Sequence, residues 1–211
     1  MSPREAAELA RYLRPAIADE RVLAAVASIP RERFVPKADL GRAYANVALP
    51  IGSGQTISQP LVVARMLEVL ALRPTDRVLD VGTGSGYHAA LLSLLADHVY
   101  TVERHPDLTE TARHVLTELG IDNVTFRVGD GWEGWPEQAP FDRIMVTAAA
   151  PGEPKALLSQ LKPTGVLVAP IGKGPVQSLR RYTGDGEGGF TVEKLTDVRF
   201  VPLLDGVAKE L

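Results

Sequence analysis

The chain has 211 residues, of which 45% are hydrophobic, no cysteine, and a formal net charge of −3. This composition is typical of a globular protein, and the lack of cysteine excludes disulfides, thiolate metal sites and thiol nucleophiles. The charged first residues do not match a signal peptide and no apolar stretch is long enough to span a bilayer, so we expect a cytoplasmic protein. Residues 97–142 carry ten acids and three bases, which argues against a nucleic-acid surface.

The first part of the chain, residues 1–75, has helical periodicity interrupted by one irregular segment. We predict two helices here, over residues 3–13 and 20–28. Residues 43–59 are too rich in glycine, serine and proline for regular structure, which predicts a long loop. Pro60 suits the first turn of a third helix, and Ser58 lies where its hydroxyl can cap that helix.

From residue 77 onward, short apolar runs alternate with longer amphipathic ones, which predicts a parallel sheet covered on both faces. The predicted strands are 77–81, 99–103, 124–128, 142–147 and 165–170, and the predicted helices are 86–96, 106–119 and 154–161. Two last apolar runs, 176–182 and 190–201, flank a glycine-rich turn and predict a terminal antiparallel hairpin. We therefore predict a doubly wound α/β core over residues 76–211, on which residues 1–75 pack.

The segment VLDVGTGSGYHAA places Gly82, Gly84 and Gly86 where a buried strand turns into a helix. Glycines at such a turn allow positive φ and let a ligand approach free backbone amides. The dinucleotide fingerprint G-x-G-x-x-G needs a glycine at the position of Tyr87, which weakens the hypothesis of a nicotinamide oxidoreductase. A tight turn without a ligand is the other interpretation. Asp80 either binds a cofactor amino group through water or caps the turn.

Two acidic residues follow the next strands at the same edge of the predicted sheet. Glu103 comes 21 residues after Gly82, where a carboxylate can accept both ribose hydroxyls of an adenosine, or can simply be a solvated acid. Asp130 is a candidate acceptor for an adenine amino group, and Gly131 supplies a backbone amide. The four histidines show no ligand spacing with nearby acids, so we predict no metal site.

These features resemble the class I S-adenosylmethionine-dependent methyltransferases, and further motifs resemble one family among them. The segment GDGWEGWPEQAPFDRI, residues 129–144, is similar to the signature of the protein-L-isoaspartate O-methyltransferases. GQTISQP at 54–60, with ALPIG at 48–52 upstream, resembles the loop before that family's glycine-rich strand, and RFVPL at 199–203 resembles its C-terminal strand. The resemblance extends from about residue 30 to residue 203.

The resemblance implies a Rossmann-like methyltransferase fold, with S-adenosyl-L-methionine as methyl donor and S-adenosyl-L-homocysteine as product. It implies methylation of the α-carboxylate of L-isoaspartyl residues in damaged proteins and peptides, which then close to a succinimide and are repaired. An ionised carboxylate needs no strong general base, and orientation alone can supply roughly 7–11 kcal/mol of the barrier. Two alternatives are a tailoring methyltransferase for aspartate of one dedicated peptide and a non-catalytic cofactor-binding protein. We expect a monomer.

The resemblance also assigns roles to individual residues. Ser58 matches the hydroxyl residue of the family's active site and is the predicted catalytic residue. The predicted substrate-binding residues are Thr56, Ser58, Ala148 and Ala149. The predicted cofactor-binding residues are Gln55, Thr56, Ile57, Ser58, Asp80, Gly82, Gly84, Ser85, Gly86, Glu103, Arg104, Asp130 and Gly131. One departure is Asn46, which stands where the family commonly has an acid.

Overall fold

The alternating segments after residue 76 form a seven-stranded sheet in the computed structural model, which describes residues 3–208. The strands of the protein are β1 (Leu49–Gly52), β2 (Gln55–Ile57), β3 (Arg77–Val81), β4 (His98–Glu103), β5 (Val124–Val128), β6 (Phe141–Val146), β7 (Leu161–Ile171), β8 (Gln177–Gly184) and β9 (Phe190–Val198). The helices are α1 (Pro3–Leu13), α2 (Glu20–Ser28), α3 (Pro60–Leu70), α4 (Tyr87–Ser93), α5 (Pro106–Glu118) and α6 (Lys155–Leu158).

The sheet order is β5-β4-β3-β6-β7-β8-β9, with parallel pairing from β5 to β7 and antiparallel pairing from β7 to β9. The chain moves from β3 to β4 and β5 on one side and then crosses to β6 on the other side of β3. This reversal creates a crevice at the carboxyl ends of β3 and β6, which is where ligands bind in open α/β sheets. The predicted parallel sheet and terminal hairpin, β8–β9, are both confirmed.

Successive residues of the central strands face opposite sides of the sheet, and each side has its own apolar core. Val78 and Met145 belong to the first core, whereas Leu79 and Ile144 belong to the second. The first core is covered by helices α1 to α5, and the second by α6 and the loop that follows β5. Burial on both faces explains why these strands have nearly continuous apolar sequences.

The N-terminal helices pack on each other, and α2 contacts α3 and α4, which cover the sheet. Leu13 of α1 and Leu23 of α2 are buried in the same core as Val78 of β3. The connection before α2 is also tied to α3, because the Glu68 carboxylate accepts a hydrogen bond of 2.6 Å from the Ala18 amide. None of the helices described between residues 3 and 208 is long and apolar enough to cross a membrane.

The long loop predicted for residues 43–59 is wrong for its second half, where β1 and β2 form a small antiparallel hairpin. Leu49 pairs with Ile57 and both side chains are buried, so a short apolar alternation stabilises the pairing. The glycines that suggested a loop belong to the turn, since Gly52 and Gly54 have φ angles of 109° and 69°.

Two predicted boundaries after β6 are also wrong. The helix predicted over 154–161 is only α6, of four residues, and β7 begins at Leu161 instead of 165. Leu161 pairs with Phe141 of β6, and Lys162 forms an ion pair with Asp142. These contacts explain why β7 begins four residues before the predicted position. Because proline and glycine are unfavourable in strands, the first residues of β7 do not look like a strand in the sequence.

Helix α4, which precedes β4, is also shorter than the predicted helix over 86–96.

Candidate functional site

A cavity opens at the crevice between the carboxyl ends of β3, β4 and β6. Its lining combines backbone and polar side chains of the glycine turn with apolar side chains, a mixture that is typical of small-molecule sites. Most of the predicted cofactor-binding residues line it, namely Gln55, Thr56, Ile57, Ser58, Gly82, Gly84, Ser85, Glu103, Arg104 and Gly131. Three predicted cofactor-binding residues do not line it, namely Asp80, Gly86 and Asp130.

The glycine turn after β3 is fixed by its backbone, and its first glycine has no room for a side chain. Gly82 has a φ of 99°, and its amide donates to the Val102 carbonyl at 2.8 Å. A Cβ on Gly82 would lie 2.4 Å from the Thr147 hydroxyl oxygen, which itself donates to the Gly82 carbonyl at 2.7 Å. Glycine is therefore required here both by φ and by space.

Glu103 is held against the glycine turn by two backbone amides. One carboxylate oxygen accepts from the Gly84 amide at 2.9 Å, and the other accepts from the His105 amide at 3.0 Å. The residue is 6% exposed and lines the cavity. Because each carboxylate oxygen has two lone pairs, both can still accept a ligand hydroxyl. This geometry fits the predicted ribose contact.

Asp80 lies behind the turn and not on the cavity wall. It is fully buried, accepts from the Thr101 hydroxyl at 2.8 Å, and is linked through it to Thr83, whose hydroxyl lies 2.6 Å from that of Thr101. Burial raises the pKa of Asp80 to about 7. The predicted direct cap of the turn is not observed, because Asp80 contacts the turn only through threonine hydroxyls. Its second carboxylate oxygen has no partner within residues 3–208.

Gly86 and Asp130 have contacts that account for them without a ligand. A Cβ on Gly86 would lie 2.9 Å from the Cβ of Ala112, so this glycine allows α4 to approach α5. The two oxygens of Asp130 accept from the amides of Trp132, at 2.8 Å, and Gly206, at 2.7 Å. Asp130 thus joins the loop after β5 to the C-terminal segment.

Ser58 does not cap the helix that follows it. The N-cap of α3 is Gln59, without a side-chain hydrogen bond, and Asn46 instead accepts from the Leu61 amide at 3.0 Å. The Ser58 hydroxyl has no hydrogen-bond partner among the described residues, so it is available to a ligand. The departure at Asn46 therefore concerns the support of α3, since Asn46 lines neither cavity of the site.

A second, broader cavity adjoins the first on the side of the β1–β2 hairpin and the segment after β9. The residues that line both cavities are Thr56, Ser58, Thr147 and Val201. Ser58 therefore lies where the first cavity meets the second.

Sequence reasoning missed Arg31, which holds the Ser58 segment from behind. Arg31 is fully buried and donates to the carbonyls of Ala43 and Ser58, each at 2.8 Å. Its guanidinium carbon lies 4.8 Å from the ring centroid of Tyr87, the first residue of α4. Burial lowers the pKa of Arg31, and no carboxylate forms an ion pair with it within residues 3–208. In the sequence PRERF it resembles an ordinary surface charge.

The C-terminal segment also contributes to the site, although the sequence assigned it no role. Leu203 and Leu204 line the first cavity, and Arg104 donates to the Gly206 carbonyl at 3.1 Å. Ala149, a predicted substrate contact, instead pairs with this segment, because its amide donates to the Val201 carbonyl at 2.7 Å. The neighbouring Ala148, also a predicted substrate contact, lines the first cavity but not the second.

No group of three or more histidine, aspartate or glutamate side chains able to hold a metal ion occurs in the described part of the chain. The site instead consists of a glycine turn after the first sheet strand, an acid that ends the second, and a cavity at the switch point. Together with the mostly parallel sheet, these features define the Rossmann-like class of methyltransferases.

Comparison with known proteins identifies the family within this class. The family model for protein-L-isoaspartate(D-aspartate) O-methyltransferase matches residues 5–208. A protein-L-isoaspartate O-methyltransferase of Caulobacter sp. (strain K31) is 58% identical over 202 residues, which cover 96% of this chain and 93% of the relative. One from Aliivibrio fischeri is 54% identical over 190 residues, covering 90% of each chain. The chain belongs to the protein-L-isoaspartate O-methyltransferase family.

Solved structures agree with this assignment. A protein-L-isoaspartate O-methyltransferase matches with a TM-score of 0.84 and 30% identity, over 92% of this chain and 64% of that one. A protein from Plasmodium falciparum, described as a putative member of the family in complex with S-adenosyl-L-homocysteine, has a TM-score of 0.81 and 27% identity. That match covers 94% of this chain and 98% of the other. The fold prediction is therefore confirmed over nearly the whole chain.

Proposed function

We propose that the protein transfers the methyl group of S-adenosyl-L-methionine to the α-carboxylate of L-isoaspartyl residues in damaged proteins and peptides. The methyl ester then closes to a succinimide, which begins repair. One observation carries the proposal: in a chain of this family, the Ser58 hydroxyl, which has no partner among the described residues, lies where the cavity at the glycine turn meets the second cavity.

The residues of the first cavity fit the cofactor. The glycine turn lines this cavity with backbone, and Glu103 is held by two amides with lone pairs left for the ribose hydroxyls. When bound, S-adenosylmethionine supplies an electrophilic methyl group on a sulfonium sulfur. Leu203 and Leu204 add apolar surface to the same cavity.

The second cavity suits the acceptor peptide. A carboxylate with a pKa of about 4 is ionised at neutral pH, so the site must orient it more than activate it. We assign this orientation to the hydroxyls of Thr56 and Ser58, which donate hydrogen bonds to a carboxylate well. Arg31 fixes the Ser58 backbone, so the hydroxyl has a defined position. The acceptor cavity thus combines Thr56 and Ser58 from the first part of the chain with the segment 197–201 after β8.

The named relatives favour repair over the alternatives of a dedicated tailoring enzyme or a non-catalytic protein. We further propose that the protein acts in the cytoplasm as a monomer and does not bind nucleic acid. The absence of cysteine and the net charge of −3 support this setting. Light scattering on a size-exclusion column tests the monomer, since a dimer would appear at twice the mass.

The function is tested with radiolabelled S-adenosylmethionine and two peptides that differ only in L-isoaspartate or L-aspartate at one position. We expect base-labile methyl esters on the isoaspartyl peptide alone. Equal labelling of both peptides would contradict specificity for the damaged residue. Labelling of neither, with S-adenosylhomocysteine still bound in calorimetry, would favour a dedicated peptide substrate or a non-catalytic protein.

A further inference from the structure

Arg199 places a positive charge on the second cavity, where the acceptor peptide is proposed to bind. It is exposed, lines the second cavity but not the first, and forms no hydrogen bond or ion pair with any residue between 3 and 208. The other charged residue among the described ones that line this cavity is Asp197, which forms an ion pair of 3.5 Å with Lys194. A bound peptide therefore meets Arg199 without a competing acid on the guanidinium.

The backbone on both sides of Arg199 is fixed. Val198, the last residue of β9, is buried and pairs with Gln177 of β8. The Phe200 amide donates to the side-chain oxygen of Gln177 at 2.9 Å, and Gln177 is itself buried. The Cα of Arg199 therefore has a defined place in the cavity wall, and its side chain alone adjusts to a ligand.

Arg199 lies close to the point where the two cavities meet. Val201, two residues further along the chain, lines both cavities together with Ser58. Two residues span at most about 7 Å between Cα atoms, and an extended peptide advances by about 3.3 Å per residue. When the isoaspartyl carboxylate lies at Ser58, a side chain one or two positions away in the peptide is therefore within reach of Arg199.

The carboxylate that is methylated is a poor partner for this guanidinium. In the transfer a carboxylate oxygen forms a bond to the methyl carbon, the carbon–sulfur bond breaks, and its electron pair stays on sulfur. The carboxylate loses charge as this happens, so an ion pair with Arg199 would be stronger before the transfer than during it and would oppose the reaction. A second carboxylate on the peptide keeps its charge throughout, and arginine binds carboxylates with two parallel hydrogen bonds.

We propose that Arg199 selects isoaspartyl peptides that carry an aspartate or glutamate within two positions of the isoaspartyl residue, by pairing with that flanking carboxylate. The inference rests on the proposed function and extends it, because it gives the acceptor a preferred charge beside the damaged residue.

The test compares isoaspartyl peptides that differ only in a flanking glutamate, glutamine or lysine, in one series placed before the isoaspartyl residue and in another placed after it. In at least one series, we expect the wild type to prefer the glutamate peptide over the lysine peptide about threefold to tenfold in kcat/KM. The difference should appear in KM and not in kcat, because the flanking pair is equally strong before and during the transfer. Sodium chloride at about 0.5 M should reduce it, since the pair is exposed.

Arg199→Gln should bring the ratio of the glutamate peptide to the lysine peptide close to one, and Arg199→Glu should invert it. The matched control is Lys155→Glu, which reverses the charge of an exposed residue on α6 that lines neither cavity. It should keep the ratio of the wild type.

Fluorescence anisotropy of labelled peptides on the protein with S-adenosylhomocysteine gives the same ratio from Kd, so the preference is also read without turnover. A wild-type ratio near one in both series, or an unchanged ratio in Arg199→Glu, would overturn the proposal. An equal change of kcat for all peptides in Arg199→Gln would overturn it too, because Arg199 would then act on the methylated carboxylate. If no isoaspartyl peptide is methylated but anisotropy shows the preference, the proposed function fails and the charge preference stands.

Discussion

The two halves of the site are built in different ways. On the cofactor side, Glu103 and the glycine turn are fixed by backbone hydrogen bonds from strands at the centre of the sheet. On the acceptor side, Ser58 lies between a three-residue strand and α3, and side chains hold it: Arg31 through its carbonyl and Asn46 through α3. The cofactor side is therefore set by the fold itself, whereas the acceptor side depends on a few individual side chains.

This difference predicts that substitutions on the two sides should affect different measured quantities. Changes on the cofactor side should weaken S-adenosylhomocysteine binding, and changes on the acceptor side should lower turnover or stability with binding intact. Each variant is therefore measured by calorimetry with S-adenosylhomocysteine, by turnover on an isoaspartyl peptide, and by urea unfolding.

Gly82→Ala should have the largest effect. The new methyl group would collide with the Thr147 hydroxyl, which is itself bonded to the turn, so S-adenosylhomocysteine binding should fall below detection. The matched control is Gly120→Ala, because Gly120 has a φ of 71° with no atom within 4 Å of its Cβ position. It should cost about 1–2 kcal/mol of unfolding free energy from the left-handed φ alone. Normal binding of S-adenosylhomocysteine by Gly82→Ala would contradict the role of the glycine turn in the cofactor site.

Glu103→Gln should weaken S-adenosylhomocysteine about tenfold to a hundredfold in calorimetry. The amide group of glutamine places a donor against the amide of either Gly84 or His105, so one hydrogen bond is lost and the side chain turns away from the ribose. Methylthioadenosine, which contains the same ribose, should weaken equally. If it does not, Glu103 is not the ribose contact.

Arg31→Lys should destabilise the protein by about 1–3 kcal/mol in urea unfolding, because one ammonium cannot reach both the Ala43 and Ser58 carbonyls. We also expect a lower kcat on the isoaspartyl peptide, since the Ser58 segment loses its tether. The exposed Arg11→Lys on α1 is the control and should change neither quantity. Unchanged kcat in a folded Arg31→Lys protein would show that Arg31 does not position Ser58 for the reaction.

Ser58→Ala should lower kcat about tenfold, which corresponds to one hydrogen bond to a charged group, with little change in S-adenosylhomocysteine affinity. Stability should not fall, because the Ser58 hydroxyl has no partner in the protein and does not cap α3. Unchanged turnover, or a loss that appears only in cofactor affinity, would contradict the catalytic assignment.

Asn46→Ala should have the smallest effect, a loss of about 1 kcal/mol of unfolding free energy, because the Leu61 amide loses its acceptor. Asn46→Asp keeps an oxygen at the same place and should retain the stability of the wild type. A larger loss of turnover than of stability in Asn46→Ala would place this residue in the site.

Local patterns in the sequence determined the elements whose signals do not depend on distant contacts. The helix over 106–119 ends one residue earlier in the structure, and the strand over 77–81 has the predicted bounds. The glycine turn and Glu103 were found because turn chemistry and strand-end position follow from neighbouring residues. The hairpin β1–β2 and the start of β7 were missed, since each depends on pairing that overrides glycine and proline in the sequence.

The sequence by itself determined the class of fold, the family resemblance and most of the predicted residues that line the first cavity, because periodicity and turn residues act over short distances. Only the tertiary structure decided which contacts Ser58, Asn46 and Arg31 make. Asn46 lies 15 residues from its partner, Leu61, and Arg31 lies 27 residues from Ser58. Contacts of this kind form only when the chain folds, and burial then makes an apparently ordinary arginine the support of the Ser58 backbone.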